Sequence, residues 1–143
     1  MDQVAETMTI GRLSSLTGVK VTTIRYYERE GLLPEPRRTA AARRMYAAAD
    51  AQRLSFIRHA RQLGFETPEV RVLLDLADHR DRSCEEVDRI ARRRLEAVDD
   101  KIARLMRLRG ELERMVEECR HGTVAQCRVI DTLSDHGLCA AEH

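Results

Sequence analysis

The sequence contains no tryptophan, and aromatic residues make up only 3% of its 143 residues. A core must therefore be built from Leu, Val, Ile, Ala and Met, and the small numbers of glycine and proline, 7 and 3, argue against an all-β chain. No apolar run approaches the roughly 18 residues of a membrane span, and the N-terminus lacks the basic and apolar regions of a secretory signal. We therefore expect a helix-rich, cytoplasmic protein that does not enter membranes.

Positive charge is concentrated in the first half of the chain. Residues 1–66 contain 11 Lys/Arg and 7 Asp/Glu, a net charge of +4. Residues 67–143 contain 14 Lys/Arg and 17 Asp/Glu, a net charge of −3. A basic first half is compatible with binding to a polyanion such as nucleic acid, although it is weak evidence by itself.

The first half also has the pattern of a helix-turn-helix. Apolar periodicity predicts a short helix over 9–18 and a second over 21–30, each ended by a glycine. Two short helices joined by a tight turn form such a motif. The segment 37–46 suits a small β-wing, and two further helices are predicted over 50–63 and 67–77.

Basic and aromatic side chains are placed where the second helix and the wing would meet DNA. Arg25 and Tyr26, near the start of the second helix, can reach a major-groove edge or adjacent phosphates. Arg38 and Arg44 are placed to contact the phosphate backbone from the wing. Because two adjacent tyrosines on a helix cannot both face solvent, we expect Tyr27 to lie in the core.

Two arginines of the third predicted helix, Arg58 and Arg61, allow two interpretations. They could contact phosphate, or they could belong to a solvated helix face. The sequence does not favour either one.

One long helix dominates the second half. It opens at 83–86 with acidic residues that suit the helix dipole, and nothing stops it before Gly122. Its apolar residues alternate in steps of four and three, as in a coiled coil, and form an apolar seam of Ala91, Leu95, Val98, Ile102, Leu105, Leu112, Val116 and Cys119. Arg109 interrupts this seam, and the adjacent Leu108 can substitute for it. Because one helix cannot bury such a stripe on itself, we expect a second copy of the chain as its partner.

The four cysteines, Cys84, Cys119, Cys127 and Cys139, all lie in this half. A disulfide framework is not expected in a reducing cytosol, which leaves metal binding, redox chemistry or plain burial. Cys84 and Cys119 are separated by roughly 50 Å of helix, so they cannot share an ion within one chain. Five heptads separate them, however, which places both on the same seam. If two copies pair antiparallel, Cys84 approaches the partner's Cys119 and Cys127.

The last two of these cysteines bracket a loop. Gly122 lets the backbone turn after the long helix, and 129–133 is predicted to be a short amphipathic helix. Cys127 would then lie near a helix N-terminus, a position that favours the thiolate.

The number of thiolates bears on the choice of metal. Two thiolates suit a linear monovalent ion such as Cu(I). A third adds negative charge and coordination number, which favours a soft divalent ion: Zn(II), Cd(II), Pb(II) or Hg(II). Tetrahedral zinc needs a fourth ligand, and the candidates are His121, His136, Cys139 and water, with His143 also on the tail.

Taken together, these motifs resemble the MerR family of transcription regulators over about 8–133. The most specific resemblance is the run TIRYYEREGLLPEP, followed by a wing that ends in RRMY. The resemblance implies DNA contacts from the recognition helix and the wing by Thr23, Arg25, Tyr26, Arg38, Arg44 and Tyr46. It also implies metal binding by Cys84, Cys119 and Cys127, although copper-type members typically carry serine at the position of Cys84. Many members carry Asn-Gly or Gly-Asn in the wing turn, where this chain has Ala40, Ala41 and Ala42.

The resemblance further implies a mainly α fold. We expect a winged helix-turn-helix over 1–77, an antiparallel coiled-coil dimerisation helix over 83–120, and a metal-binding loop, short helix and tail over 119–143. A homodimer of this kind would bend and untwist promoter DNA when metal binds, which realigns the promoter for RNA polymerase and activates an efflux or detoxification operon.

Other functions remain open at this stage. A Cu(I)/Ag(I) activator of the same fold and a metal-sequestering protein without promoter activity are the main alternatives. An iron–sulfur redox sensor would need clustered cysteines, and a sensor of organic ligands would typically append a larger C-terminal domain. The sequence has no nucleophile elbow, phosphate loop or paired carboxylates that would indicate an enzyme.

Overall fold

The computed structural model describes residues 6–119 and 122–135. Short strands and helices precede one long helix, and a short helix follows it. The elements are β1 (Thr7–Met8), α1 (Ile10–Thr17), α2 (Val21–Arg29), β2 (Arg37–Arg38), β3 (Arg44–Ala47), α3 (Ala48–Gln62), α4 (Thr67–Ala77), α5 (Glu85–Glu118), a 3-10 turn (Val124–Gln126) and α6 (Arg128–Ser134). The predicted mainly α fold is confirmed.

Local signals determine where the first helices begin and end. The Thr9 hydroxyl accepts a hydrogen bond from the backbone N–H of Arg12 and caps the start of α1. At its other end Gly18 adopts a left-handed conformation with φ of 72°, which a residue with a Cβ adopts only with strain. Pro68 lies in the first turn of α4, where its missing N–H costs no hydrogen bond. The predicted bounds of these helices hold to within two residues.

The wing is part of a three-stranded antiparallel sheet. Strand β3 is central, with β1 on one side and β2 on the other. β1 pairs Met8 with Tyr46, and β2 pairs Arg38 with Arg44. Strand β1 was not predicted from the sequence, because two residues are too few to show an alternating pattern. Its pairing also depends on a strand almost forty positions away.

An aliphatic core holds α1 to α4 on this sheet. Its largest fully buried members include Leu13, Ile24, Leu32, Leu54, Ile57 and Val70. Two tyrosines, Tyr27 and Tyr46, complete it. Burial of one such aliphatic side chain contributes about 1.5–3 kcal/mol, so this cluster fixes how the recognition helix and the wing are oriented.

Helix α5 is 34 residues long and carries the predicted seam. Seam residues Leu95, Ile102, Leu105, Leu112 and Val116 are between 53% and 68% exposed. Within the described part of the chain, these five side chains are therefore more than half exposed, whereas Val98 and Cys119 of the seam are partly buried. Leu108 lines the same groove as Leu105, Leu112 and Val116, and Arg109 lines it as well.

Two compact units divide the chain inside α5, residues 1–90 and residues 91–143. The three-part division at 1–77, 83–120 and 119–143 stays a prediction. None of the helices in the described ranges combines the length and the apolar character of a bilayer span.

The long helix stops earlier than expected. It ends at Glu118 rather than continuing to Gly122. The Cys119 N–H already bonds the Val116 carbonyl in a tightened last turn, and Glu118 pairs with Arg128 of the following helix. The helix therefore ends before Gly122 is reached.

Candidate DNA interface and metal-binding cysteines

The side chains of the recognition helix α2 lie on two faces, one buried in the core and one exposed. Ile24 and Tyr27 are buried in the core, as predicted for Tyr27. Arg25 is exposed and Tyr26 is 42% exposed, while Thr23 is partly buried beside them. Thr22 and Arg29 lie on the same exposed face as Arg25 and Tyr26, at helical spacings of three, four and seven. This face is the part of the helix that can enter a groove.

The prediction that Tyr46 contacts DNA is wrong for its side chain. Tyr46 is only 1% exposed, and its hydroxyl donates a hydrogen bond to the Glu28 carboxylate. Burial, together with this carboxylate, raises the pKa of Tyr46 well above its ordinary value. Its position at the end of a wing motif indicated the surface, but alternation along β3 turns this side chain into the core.

Glu28 is a positioning residue that the sequence did not predict. Its carboxylate accepts from Tyr46 and also pairs with Arg44, at 3.6 Å from the Arg44 Nη1. Glu28 is on α2 and both partners are on β3, so one carboxylate joins the recognition helix to the wing. No signal in the sequence links residues 16 and 18 positions apart, because the contact depends on how the wing folds back.

The wing turn has a strained alanine. The Ala42 N–H bonds the Thr39 carbonyl, the Thr39 N–H bonds the Arg43 carbonyl, and Ala42 has φ of 61°. This is the three-residue hairpin loop in which the left-handed position is usually glycine. The Arg38 guanidinium donates to the Ala42 carbonyl at 3.2 Å, and Arg38 remains exposed for a phosphate contact.

Replacing this alanine with glycine should stabilise the wing. Ala42→Gly removes a left-handed strain of about 1–2 kcal/mol. Glycine also makes the unfolded chain more flexible, which lowers the free energy of unfolding by about 0.4–1 kcal/mol. We expect the free energy of unfolding to rise by about 0.5–1 kcal/mol, as measured by urea denaturation at fixed protein concentration.

Ala40→Gly in the same turn is the matched control. Ala42 is the only non-glycine residue of the described ranges with positive φ, so Ala40→Gly gains no strain relief and should lower stability. The assigned turn geometry would be refuted if the two substitutions changed stability in the same direction.

Arg58 and Arg61 are both exposed on α3, which is compatible with a solvated helix face, and each also bonds a backbone carbonyl. The Arg58 Nη1 donates to the Thr17 carbonyl at 2.6 Å and so caps the end of α1, while the Arg61 Nη1 donates to the Phe65 carbonyl at 2.8 Å. A Cβ at Gly18 would lie 2.7 Å from the Arg58 Nη1. The backbone angle at Gly18 favours glycine there, whereas the end of the flexible Arg58 side chain could move aside for a Cβ.

The structure places Cys84 and Cys119 at opposite ends of α5. Cys84 is the residue before the helix and is exposed, and Cys119 is the residue after it and is partly buried. Among the described residues, no group of three or more His, Cys, Asp or Glu side chains converges on a metal-sized site. His121, His136, Cys139 and His143 lie outside the described residues.

The loop after α5 carries Cys119 and Cys127 on its two flanks. Cys127 is the residue directly before α6, as the sequence predicted, and is partly buried. The loop closes through the 3-10 turn at Val124–Gln126, and the Arg128 Nε bonds the Glu118 Oε2 at 2.8 Å. Apolar side chains nevertheless face outward here, with Val124 72% and Leu133 74% exposed.

An apolar groove of about 310 Å³ borders Cys84. Leu73 and Leu76 from α4 line it together with Phe56 and Val87, and His79, Arg80 and Arg82 lie at its charged side. Arg82 and His79 both face Asp75, at 3.5 and 3.8 Å. The first residue of the predicted metal site therefore lies beside an apolar surface that could receive another segment of protein.

Comparison with known proteins agrees with this architecture. Residues 8–77 match the family described as MerR HTH family regulatory protein, and residues 51–115 match MerR, DNA binding. The transcriptional regulator HmrR of Rhizobium leguminosarum bv. viciae is 40% identical over 90% of this chain and 98% of its own. The mercuric resistance operon regulatory protein of Serratia marcescens is 38% identical, over 93% and 92%.

Among solved structures, the regulator PbrR691 from Ralstonia metallidurans CH34 in complex with lead(II) matches with a TM-score of 0.75 and 36% identity, over 88% of this chain and 98% of that one. The family matches extend from the helix-turn-helix into the long helix, and these relatives are matched over nearly their full length. The chain belongs to the MerR family of helix-turn-helix transcription regulators.

Proposed function

We propose that this protein is a homodimeric transcription activator that binds promoter DNA and responds to a soft divalent metal ion, Zn(II), Cd(II), Pb(II) or Hg(II). It acts as a regulator rather than as an enzyme, in the cytoplasm, where its thiols stay reduced. The observation that carries this proposal is the placement of Cys84 and Cys119 at the two ends of one 34-residue helix whose apolar seam is exposed.

The DNA-binding part of the proposal depends on α2 and the wing. Arg25 and Tyr26 project from the exposed face of α2, which suits entry into the major groove. The exposed Arg38 and the partly exposed Arg44 are placed for phosphate contacts, which position the protein on the duplex without reading its sequence. We assign base reading to Arg25 and its helical neighbours.

The dimer follows from the seam. Side chains that are more than half exposed along several turns of α5 would bury each other if two helices paired. Antiparallel pairing brings the loop of one subunit to the groove beside Cys84 of the other, where Val124, Ile130 and Leu133 would meet an apolar surface. Apolar area on both partners makes this the pairing with the larger hydrophobic gain.

The metal site is then completed between subunits. Cys84 of one subunit joins the partner's Cys119 and Cys127, and His121 or Cys139 could supply a fourth ligand. Three thiolates suit a soft divalent ion in both charge and coordination number. Two similar proteins, one a mercuric resistance operon regulatory protein and one a regulator solved in complex with lead(II), support ions of this class.

Metal binding switches the promoter through the relative arrangement of the two DNA-binding units. The ion must bind the activating arrangement more tightly than the resting one, because only differential affinity shifts such an equilibrium. Bending and untwisting of a promoter with a long spacer would then align its elements for RNA polymerase.

The test is reporter induction by Cu, Ag, Zn, Cd, Pb and Hg, measured on the wild type and on Cys84→Ser. We expect Cys84→Ser to abolish the response to the divalent ions. The site then loses one of its three thiolates, which is the only thiolate that one of the two subunits contributes. Retained induction by Zn, Cd, Pb and Hg would refute the three-thiolate site.

One observation favours a second candidate, a Cu(I)- or Ag(I)-responsive activator. Cys119 and Cys127 flank one loop within one chain, and the bond from Arg128 to Glu118 holds their neighbours together. Two thiolates suffice for a linear monovalent ion, so in that case induction by Cu or Ag survives Cys84→Ser. A protein that only sequesters metal would show no shift of promoter DNA in either the presence or the absence of metal.

A further inference from the structure

The C-terminal end of α5 carries a chain of alternating charges. The Glu111 carboxylate, whose side chain is only 4% exposed, accepts from the Arg114 Nη2 at 2.5 Å. The Arg114 Nη1 lies 3.2 Å from both oxygens of Glu118, and the Glu118 Oε2 accepts from the Arg128 Nε at 2.8 Å. The chain begins at a buried carboxylate and ends on α6, so it fastens α6 to α5.

The last link of this chain lies beside two of the proposed metal ligands. Glu118 directly precedes Cys119, and Arg128 directly follows Cys127. Neighbouring Cα atoms are 3.8 Å apart, so an ion pair between Glu118 and Arg128 draws the two thiol-bearing positions toward each other.

We propose that Glu118 and Arg128 are positioning residues that hold Cys119 and Cys127 together before any metal binds. This inference rests on the proposed metal-responsive function. Closing the loop costs conformational entropy. An ion pair formed during folding offsets this entropy loss before metal binds. The metal then binds a pair of thiols that is already positioned, so less of the binding free energy is lost in ordering the loop.

Arg114 makes the pair more than an isolated surface contact. Exposed ion pairs contribute little when each side chain must be ordered for a single partner. Here Arg114 is already held by the buried Glu111 and in turn orders Glu118. Glu118 therefore presents its carboxylate to Arg128 with little further loss of freedom.

The experiment measures the proximity of the two thiols without metal or DNA. The full chain carries Cys84→Ser and Cys139→Ser, so that Cys119 and Cys127 are its only thiols. Glutathione disulfide oxidises the pair: two thiols release two protons and two electrons to form one disulfide, and the oxidant is reduced to two glutathione thiols. The equilibrium gives the effective concentration of one thiol at the other.

We expect Glu118→Gln and Arg128→Gln each to lower this effective concentration about three- to fivefold, the size that an ion pair of this exposure supports. The double variant should show the same loss as either single variant, because each single variant already removes the Glu118–Arg128 ion pair. Arg128→Lys should recover most of it. Arg109→Gln, which breaks the 2.9 Å pair with Glu113 on the same helix, is the matched control and should change nothing.

Unchanged proximity in both single variants would overturn the proposal. So would losses that multiply in the double variant, or a loss in Arg128→Lys equal to that in Arg128→Gln, since each indicates separate structural effects. Because the readout uses neither metal nor promoter, it can fail while the proposed function holds, and the induction assay can fail while this pairing holds.

Discussion

Mixed dimers of a Cys84→Ser chain and a Cys119→Ser chain should bind one metal ion, whereas dimers of either variant alone should bind none tightly. In the proposed antiparallel dimer, the Cys84→Ser subunit still offers Cys119 and Cys127, and the Cys119→Ser subunit still offers Cys84. One complete site therefore forms in each mixed dimer, and the opposite site lacks two ligands. A site built within one chain could not be restored in this way.

The measurement uses two differently tagged chains, purified by both tags in succession. Cd(II) binding is followed by equilibrium dialysis and by the ultraviolet absorption of cadmium thiolates. The matched control mixes Cys119→Ser with Cys127→Ser chains: each subunit keeps Cys84, but neither offers both loop thiols, so no complete site forms. Cadmium binding by this control at the level of the first mixture would rule out the cross-subunit arrangement.

Leu54→Ala is expected to lower the free energy of unfolding by about 2–5 kcal/mol. Leu54 is fully buried in α3, the helix that packs against α1, α4 and β3. Its truncation removes apolar contacts at the centre of the helix-turn-helix and leaves a cavity that the surrounding helices fill only in part. Because small domains are stable by only about 5–15 kcal/mol, promoter binding at elevated temperature should also be lost.

The control for this substitution is Leu63→Ala, at the end of the same helix. Leu63 is 67% exposed, so the same chemical change should alter stability by no more than about 0.5 kcal/mol. Urea denaturation at one fixed protein concentration is required, because a dimer's stability depends on concentration. Equal losses in the two variants would contradict the assignment of Leu54 to the core.

Structural features that depend only on neighbouring residues, such as helix ends, were predicted from the sequence with small errors. Glycines at 18, 31 and 64 adopt positive φ after α1, α2 and α3, and each marks an end that can be read from the residue type alone. The adjacent tyrosines at 26 and 27 predicted that Tyr27 is buried, and the seam of α5 follows from its repeat. In each case the physical cause lies within a few residues of its effect.

Features that join distant residues were not predictable in this way. Tyr46 was expected at the DNA surface but is held in the core by burial and by Glu28. Arg58 caps a helix 41 positions away, and β1 exists only because β3 lies beside it. None of these contacts leaves a pattern in the chain, because the partner comes within reach only after folding.

The sequence by itself determined the helices, the face that α2 presents, the apolar seam and the placement of Cys84 and Cys119 at the two ends of one helix. Short-range backbone preferences and hydrophobic periodicity are sufficient for each of these. Only the tertiary structure decided that Glu28 joins α2 to the wing and that Arg128 reaches back to Glu118. Those contacts depend on charges and hydrogen-bonding groups that meet in space, and the linear order of residues does not record which of them will meet.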